Sequence, residues 1–140
     1  MKKILYTMLL SVILLSCSDD DDVEVNPLVG SWELMAVDNE AVYDAPEDEE
    51  IVITFKEREY IGETSVNEFG GDYEIVSNRL LLTNSYTSEI GETAWGNLFY
   101  EGIRNAYDEE EERSEFTYTI QGDTLTSRST EDIMIFTRFE

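Results

Sequence analysis

Apolar side chains fall on every second residue through most of this chain, in short runs separated by Gly, Asn, Asp and Pro. That period admits little besides half-buried β-strands. Residues 29–37 place Trp32, Leu34 and Ala36 on one face of a first strand, and Ile51, Ile53 and Phe55 share a face in a second. Residues 38–50, with Pro46 and the acidic run Glu47, Asp48, Glu49 and Glu50, read as the loop between them. A third strand covers 60–66. Gly70 and Gly71 interrupt the pattern, after which 72–76 and 79–83 form a hairpin across Ser77 and Asn78. Phe116, Tyr118 and Ile120 alternate in a further strand, Gly122 and Asp123 turn it, 124–129 return, and 133–139 form the last strand.

One segment follows a different period. Between Ala94 and Tyr107 the apolar residues Trp95, Leu98, Phe99, Ile103, Ala106 and Tyr107 recur at spacings of three and four, which predicts one helix with a single apolar face. Thr93 is its expected N-cap. Gly96 and Gly102 each weaken a helix by about 1 kcal/mol relative to alanine, so this one depends on packing against the strands. The acidic run 108–112 would oppose the negative end of the helix dipole and is expected as an exposed loop. The expected fold is therefore mainly β (α+β): a single curved antiparallel sheet or barrel-like domain with one packed helix.

The N-terminus carries a different kind of information. Lys2 and Lys3 precede an apolar stretch, 4–15, that is too short to span a bilayer comfortably, the pattern of a secretory signal. Leu14, Leu15, Ser16 and Cys17 resemble the lipobox of bacterial lipoproteins, with Leu15 bulkier than that pattern prefers. The resemblance implies a signal peptide over 1–16 and lipidation of the Cys17 thiol. Each buried methylene contributes about 0.8 kcal/mol, so two or three acyl chains hold a small domain firmly at a membrane. The run Ser18, Asp19, Asp20, Asp21 and Asp22 resembles the acidic export signal of Bacteroidetes lipoproteins. The implied location is the outer membrane, lipid-anchored and facing outward, with 17–27 as a lipidated acidic tether and 28–140 as the folded domain.

Removing residues 1–16 from the 140 leaves 124, enough for one domain with a modest core. The formal charge of −23 becomes −25 once Lys2 and Lys3 are gone, which argues against nucleic acid as a partner. Cys17 is the only cysteine and histidine is absent, so histidine-activated serine or cysteine nucleophiles and zinc sites with nitrogen or sulfur ligands have no donor atoms. With 32 acidic residues some carboxylate pair must lie close, but residues this numerous are chiefly a solvated surface. Neither acidic run has the carboxylate spacing and glycine of an EF-hand loop. No catalytic residue, metal site or cofactor is expected.

Several segments between 28 and 140 together resemble META domains, the HslJ-like group of small bacterial envelope domains. They are LVGSWELMAVDNEAV at the start, VNEFGGDYEI over 66–75, and FTYTIQGDTLT with IMIFTRFE at the end. The chain departs from that group in carrying Val66 where many members place a cysteine, and in lacking a second cysteine near the helix. Small lipocalin-like lipoproteins of Bacteroidetes also share the Gly30, Ser31, Trp32 opening and the strand-rich body. Asn67, Phe69, Gly70, Gly71 and Tyr73 are read as turn and core residues, and Trp32 and Trp95 as core. The resemblance to META domains implies a non-enzymatic envelope protein with a structural or interaction role, and the lipocalin-like resemblance a binder of a small apolar ligand. The two differ inside: continuous packing of Trp32, Phe55, Tyr73, Trp95 and Phe99 marks a filled core, whereas a cavity of several hundred cubic ångströms marks a binder.

Overall fold

The strand β10 (Ile133–Phe139) lies antiparallel to β1 (Gly30–Asn39), with Ser31 opposite Phe139 and Asp38 opposite Ile133. This pairing turns a meander into a ring. In the computed structural model, which describes residues 25–88 and 90–140, the remaining elements are β2 (Ala41–Asp44), β3 (Val52–Phe55), β4 (Glu59–Glu63), β5 (Glu68–Val76), β6 (Arg79–Thr87), α1 (Ala94–Asn105), β7 (Tyr107–Asp108), β8 (Arg113–Gln121) and β9 (Thr124–Arg128). Neighbours follow the order β1, β3, β4, β5, β6, β8, β9, β10 and back to β1, a closed antiparallel barrel of eight strands. The barrel-like fold with one packed helix is the architecture expected from the alternation. The signal-peptide reading, Cys17 and the aspartate run lie outside the described residues.

Short turns at 56–58, 77–78 and 122–123 gather at one end of the ring, here the lower end, together with the entering segment 25–29. The longer connections 64–67, 88–93 and 129–132 gather at the upper end. There α1 packs against β8 and β10. Ser114 Oγ donates to the Ile103 carbonyl at 2.9 Å and Asn105 Nδ2 to Asp132 Oδ2 at 2.9 Å, so the helix is tied to the upper starts of both strands. At the lower end Leu28 is fully buried and its carbonyl accepts from Trp32 Nε1 at 2.8 Å. Asn26 Nδ2 donates to the Tyr73 hydroxyl at 2.7 Å, and that hydroxyl donates to the Lys56 carbonyl.

Four local expectations need correction. The loop read over 38–50 contains a strand, because β1 runs on to Asn39 and β2 folds back on it through Val37 opposite Tyr43. All four residues of β2 are exposed, so no buried face marked it in the sequence. A bulge between Leu34 and Ala36 then shifts the inward face of β1 by one residue, and Val37 joins Trp32 and Leu34 in the core cluster while Ala36 stays buried outside it. Gly70 and Gly71 lie within β5 rather than interrupting it. They are glycines because a Cβ at Gly70 would run into the Tyr60 carbonyl and the Tyr86 ring, and one at Gly71 into the Thr83 carbonyl. Finally, α1 stops at Asn105, and Tyr107 pairs with Ser114 in the two-residue β7.

Candidate functional site

At the upper end of the barrel an open pocket lies between α1 and the strands. Helical spacing puts Trp95, Phe99 and Ile103 on one face of α1, with Trp95 and Phe99 fully inside the core. Ile53, Tyr60 and Phe69 project inward from β3, β4 and β5 to meet them. The rings of Phe69 and Phe99 lie 4.9 Å apart and those of Phe99 and Tyr100 5.3 Å apart. Between these groups and the upper part of β6 is an open-mouthed cavity of about 320 Å³. Its floor is Ile53, Tyr60, Phe69, Phe99 and Ile103; its polar groups include Asn67, Ser85, Thr87, Glu92, Asn97 and Arg104. An apolar pocket carrying a few fixed polar groups is the usual form of a small-ligand site. A larger depression of about 590 Å³ over β5 and β6 sets Tyr73, Ile75 and Leu81 among the charged residues Glu57, Arg58, Asp72, Glu74 and Arg113, a more polar lining.

The polar wall is built around Glu92. Its Oε2 accepts from Thr64 Oγ1 at 2.7 Å and from Asn67 Nδ2 at 2.8 Å, and its Oε1 accepts from the Thr93 backbone N–H at 2.9 Å. Burial raises the affinity of this carboxylate for a proton, but the hydrogen bonds from Asn67, Thr64 and Thr93 together outweigh it and hold Glu92 below the ordinary carboxylate range. Asn67 is buried and holds the connection itself: its Oδ1 accepts from Ser88 Oγ at 2.7 Å and from the Ile90 N–H at 3.1 Å. The Tyr60 hydroxyl lies 2.6 Å from Ser85 Oγ, and the Tyr100 hydroxyl accepts from Thr87 Oγ1 at 3.0 Å. Burial pushes both phenols up.

Local sequence explains this corner. Thr93 caps α1 as expected, its Oγ1 accepting from the Gly96 N–H at 3.0 Å. In a capping box the residue at Gly96's position would be Glu or Gln reaching back to the cap N–H. Here Glu92, on the other side of the cap, supplies that carboxylate instead. Gly96 leaves it the room, since a Cβ there would overlap the Glu92 side chain.

Trp32, Phe55, Tyr73, Trp95 and Phe99 all belong to one buried cluster, so the lower and middle barrel are filled. The cavity and the filled core coexist. Asn67 and Phe69, read from the sequence as structural, do that work and also line the cavity. Gly70, Gly71 and Tyr73 do not line it. Ile53, Tyr60, Glu92 and Tyr100 were not singled out as site residues by sequence reasoning. For Glu92 the available signal was a carboxylate just before a helix cap with glycine three residues after that cap.

No protein-family model and no curated protein sequence matches the chain. Solved structures do share its fold. A protein from Burkholderia xenovorans, determined by NMR, is 16% identical with a TM-score of 0.60, over 80% of this chain and 83% of that one. A crystal structure from Bacteroides eggerthii is 12% identical with a TM-score of 0.53, over 80% and 99%. A third structure, described as a lipocalin-like protein from Bacteroides uniformis, is 12% identical with a TM-score of 0.54, over 80% and 98%.

Proposed function

We propose that this chain is a lipid-anchored envelope protein whose barrel binds one small, largely apolar ligand beneath α1, acting by binding and not by catalysis. The observation that carries the reading is the cavity of about 320 Å³ with a floor of buried aliphatic and aromatic side chains. The fold shared with a protein described as lipocalin-like adds support to it. A second reading, a structural or interaction module akin to META domains, is favoured by the continuous cluster through Trp32, Phe55, Tyr73, Trp95 and Phe99. It leaves the upper cavity without a role.

Binding of 1-naphthylmethanol, a neutral apolar probe, tests the first reading. The protein should take up one equivalent, and Ile103→Trp, which fills the cavity, should abolish uptake. No uptake by the unaltered protein of this probe or of its charged analogues, or equal uptake by the tryptophan variant, would overturn the reading. The anchor has its own test: labelled fatty acid should enter the unaltered chain and not Cys17→Ala, and equal labelling of both would remove the lipid from the proposal.

A further inference from the structure

The cavity carries a charge that no ion pair neutralises among the described residues. Glu92 lines it, and all of its hydrogen-bond donors, on Thr64, Asn67 and Thr93, are uncharged. Among the described residues no Lys or Arg forms an ion pair with it. Neutral donors stabilise the anion where it sits, but its field still extends into a space walled by Phe69, Phe99 and Tyr100. Lys56, Arg58, Arg79 and Arg138 stand at the lower end, away from the mouth; Arg113 and Arg128 stand at the upper end but do not line the cavity, and Arg113 is paired with Glu111 and Glu115. Among the described residues Arg104 is the one cation lining the cavity; its side chain is 69% exposed and its guanidinium lies 3.9 Å from Glu101. Around the same end are Glu63, Glu68 and the acidic run 108–112. An anionic ligand entering here meets like charge at the rim and again inside, whereas a cation gains from both, and from the faces of the aromatic rings.

We propose that the ligand of this cavity is an apolar body bearing a positive charge, an alkyl- or arylammonium compound, whose charged head is placed against Glu92. The proposal rests on the cavity being a ligand site. It adds the sign of the ligand.

Three naphthalenes that differ only in headgroup, 1-naphthylmethylammonium, 1-naphthylmethanol and 1-naphthoate, separate the two ideas. Their binding to the full chain in discs of zwitterionic lipid is measured by calorimetry, with empty discs subtracted. The ammonium compound should bind at least tenfold more tightly than the alcohol, and the carboxylate more weakly than either. Glu92→Gln should reduce the ammonium advantage over the alcohol to threefold or less. Should that variant fail to fold, the three affinities of the unaltered protein still decide. Carboxylate binding as tight as ammonium binding would overturn the charge proposal while leaving the cavity reading in place. An ammonium advantage that Glu92→Gln leaves intact would overturn the role of Glu92. Absence of binding by all three would remove both.

Discussion

The guanidinium carbon of Arg138 stands 4.2 Å from the centroid of the Trp32 ring, joining β10 to β1 at the lower end of the barrel. From there Nη1 reaches the Val29 carbonyl and Nη2 the Pro27 carbonyl, each at 3.3 Å, so one side chain covers the indole and holds the entering segment. Arg138→Met keeps the aliphatic stem and removes the rest. It should cost about 1 to 2 kcal/mol, the sum of a half-exposed cation–π contact and two weak hydrogen bonds. Urea titration followed by tryptophan emission measures it. Arg138→Lys should recover less than half, because an ammonium lacks the planar fork that both stacks and donates twice.

Gly96→Ala offers a sharper test of the corner at the start of α1. On helix propensity alone the change would stabilise by about 1 kcal/mol. Here the new methyl displaces the Glu92 side chain and with it the hydrogen bonds from Thr64, Asn67 and Thr93. The net effect should be a loss of about 1 to 2 kcal/mol. Combined with Glu92→Ala, the glycine substitution should lose most of its cost, giving a coupling readable in a double-mutant cycle.

Acid should weaken the same corner. The folded protein holds Glu92 below the usual carboxylate range, so its charged form adds stability that is fully present above the unfolded value of about 4.3 and is lost as pH falls through the folded value. Unaltered protein should therefore exceed Glu92→Gln in stability at neutral pH, with the gap closing on acidification. Denaturant midpoints for both proteins across that range supply the comparison, and a gap that stays constant would contradict the assignment.

Phe99 is 1% exposed and touches Phe69 and Tyr100 while lining the cavity. Phe99→Ala should destabilise the domain by about 3 to 5 kcal/mol, the loss typical of a large buried ring. Glu110→Ala, at an exposed position beyond β7, should lie within about 0.5 kcal/mol of the unaltered protein. A nearly neutral Phe99→Ala in a denaturant titration would mean that the helix rests on the barrel without completing its core.

Much of the barrel is readable in the chain because its strands are locally declared. Phe116, Tyr118 and Ile120 alternate, Ser77 and Asn78 turn a tight hairpin, and β10 has the bounds that the pattern predicts. What escapes reading is set by distant partners. The bulge at Met35 that turns Val37 into the core cluster arises in the pairing of β1 with β10, roughly a hundred residues away. β2 has no buried face to announce it. The cavity is hidden for the same reason: Ile53, Tyr60 and Phe69 each look like ordinary core positions until α1 brings Phe99 and Ile103 over them. Glu92 is one of 32 acidic residues, and only its place between the 64–67 connection and the helix cap distinguishes it.

The seam between β1 and β10 also dictates an order of events during folding. Arg138 and Val29 meet across a sequence separation of 109, whereas strands elsewhere around the ring pair with near neighbours in the chain. Hairpins can therefore assemble early, while the seam must wait for its loop-closure entropy to be met. Until β10 has been made, β1 and β9 each present an unpaired edge, the condition in which strands recruit other chains. A polypeptide halted before Ile133 is an open sheet with two adhesive margins, and the seven residues of β10 remove both at once.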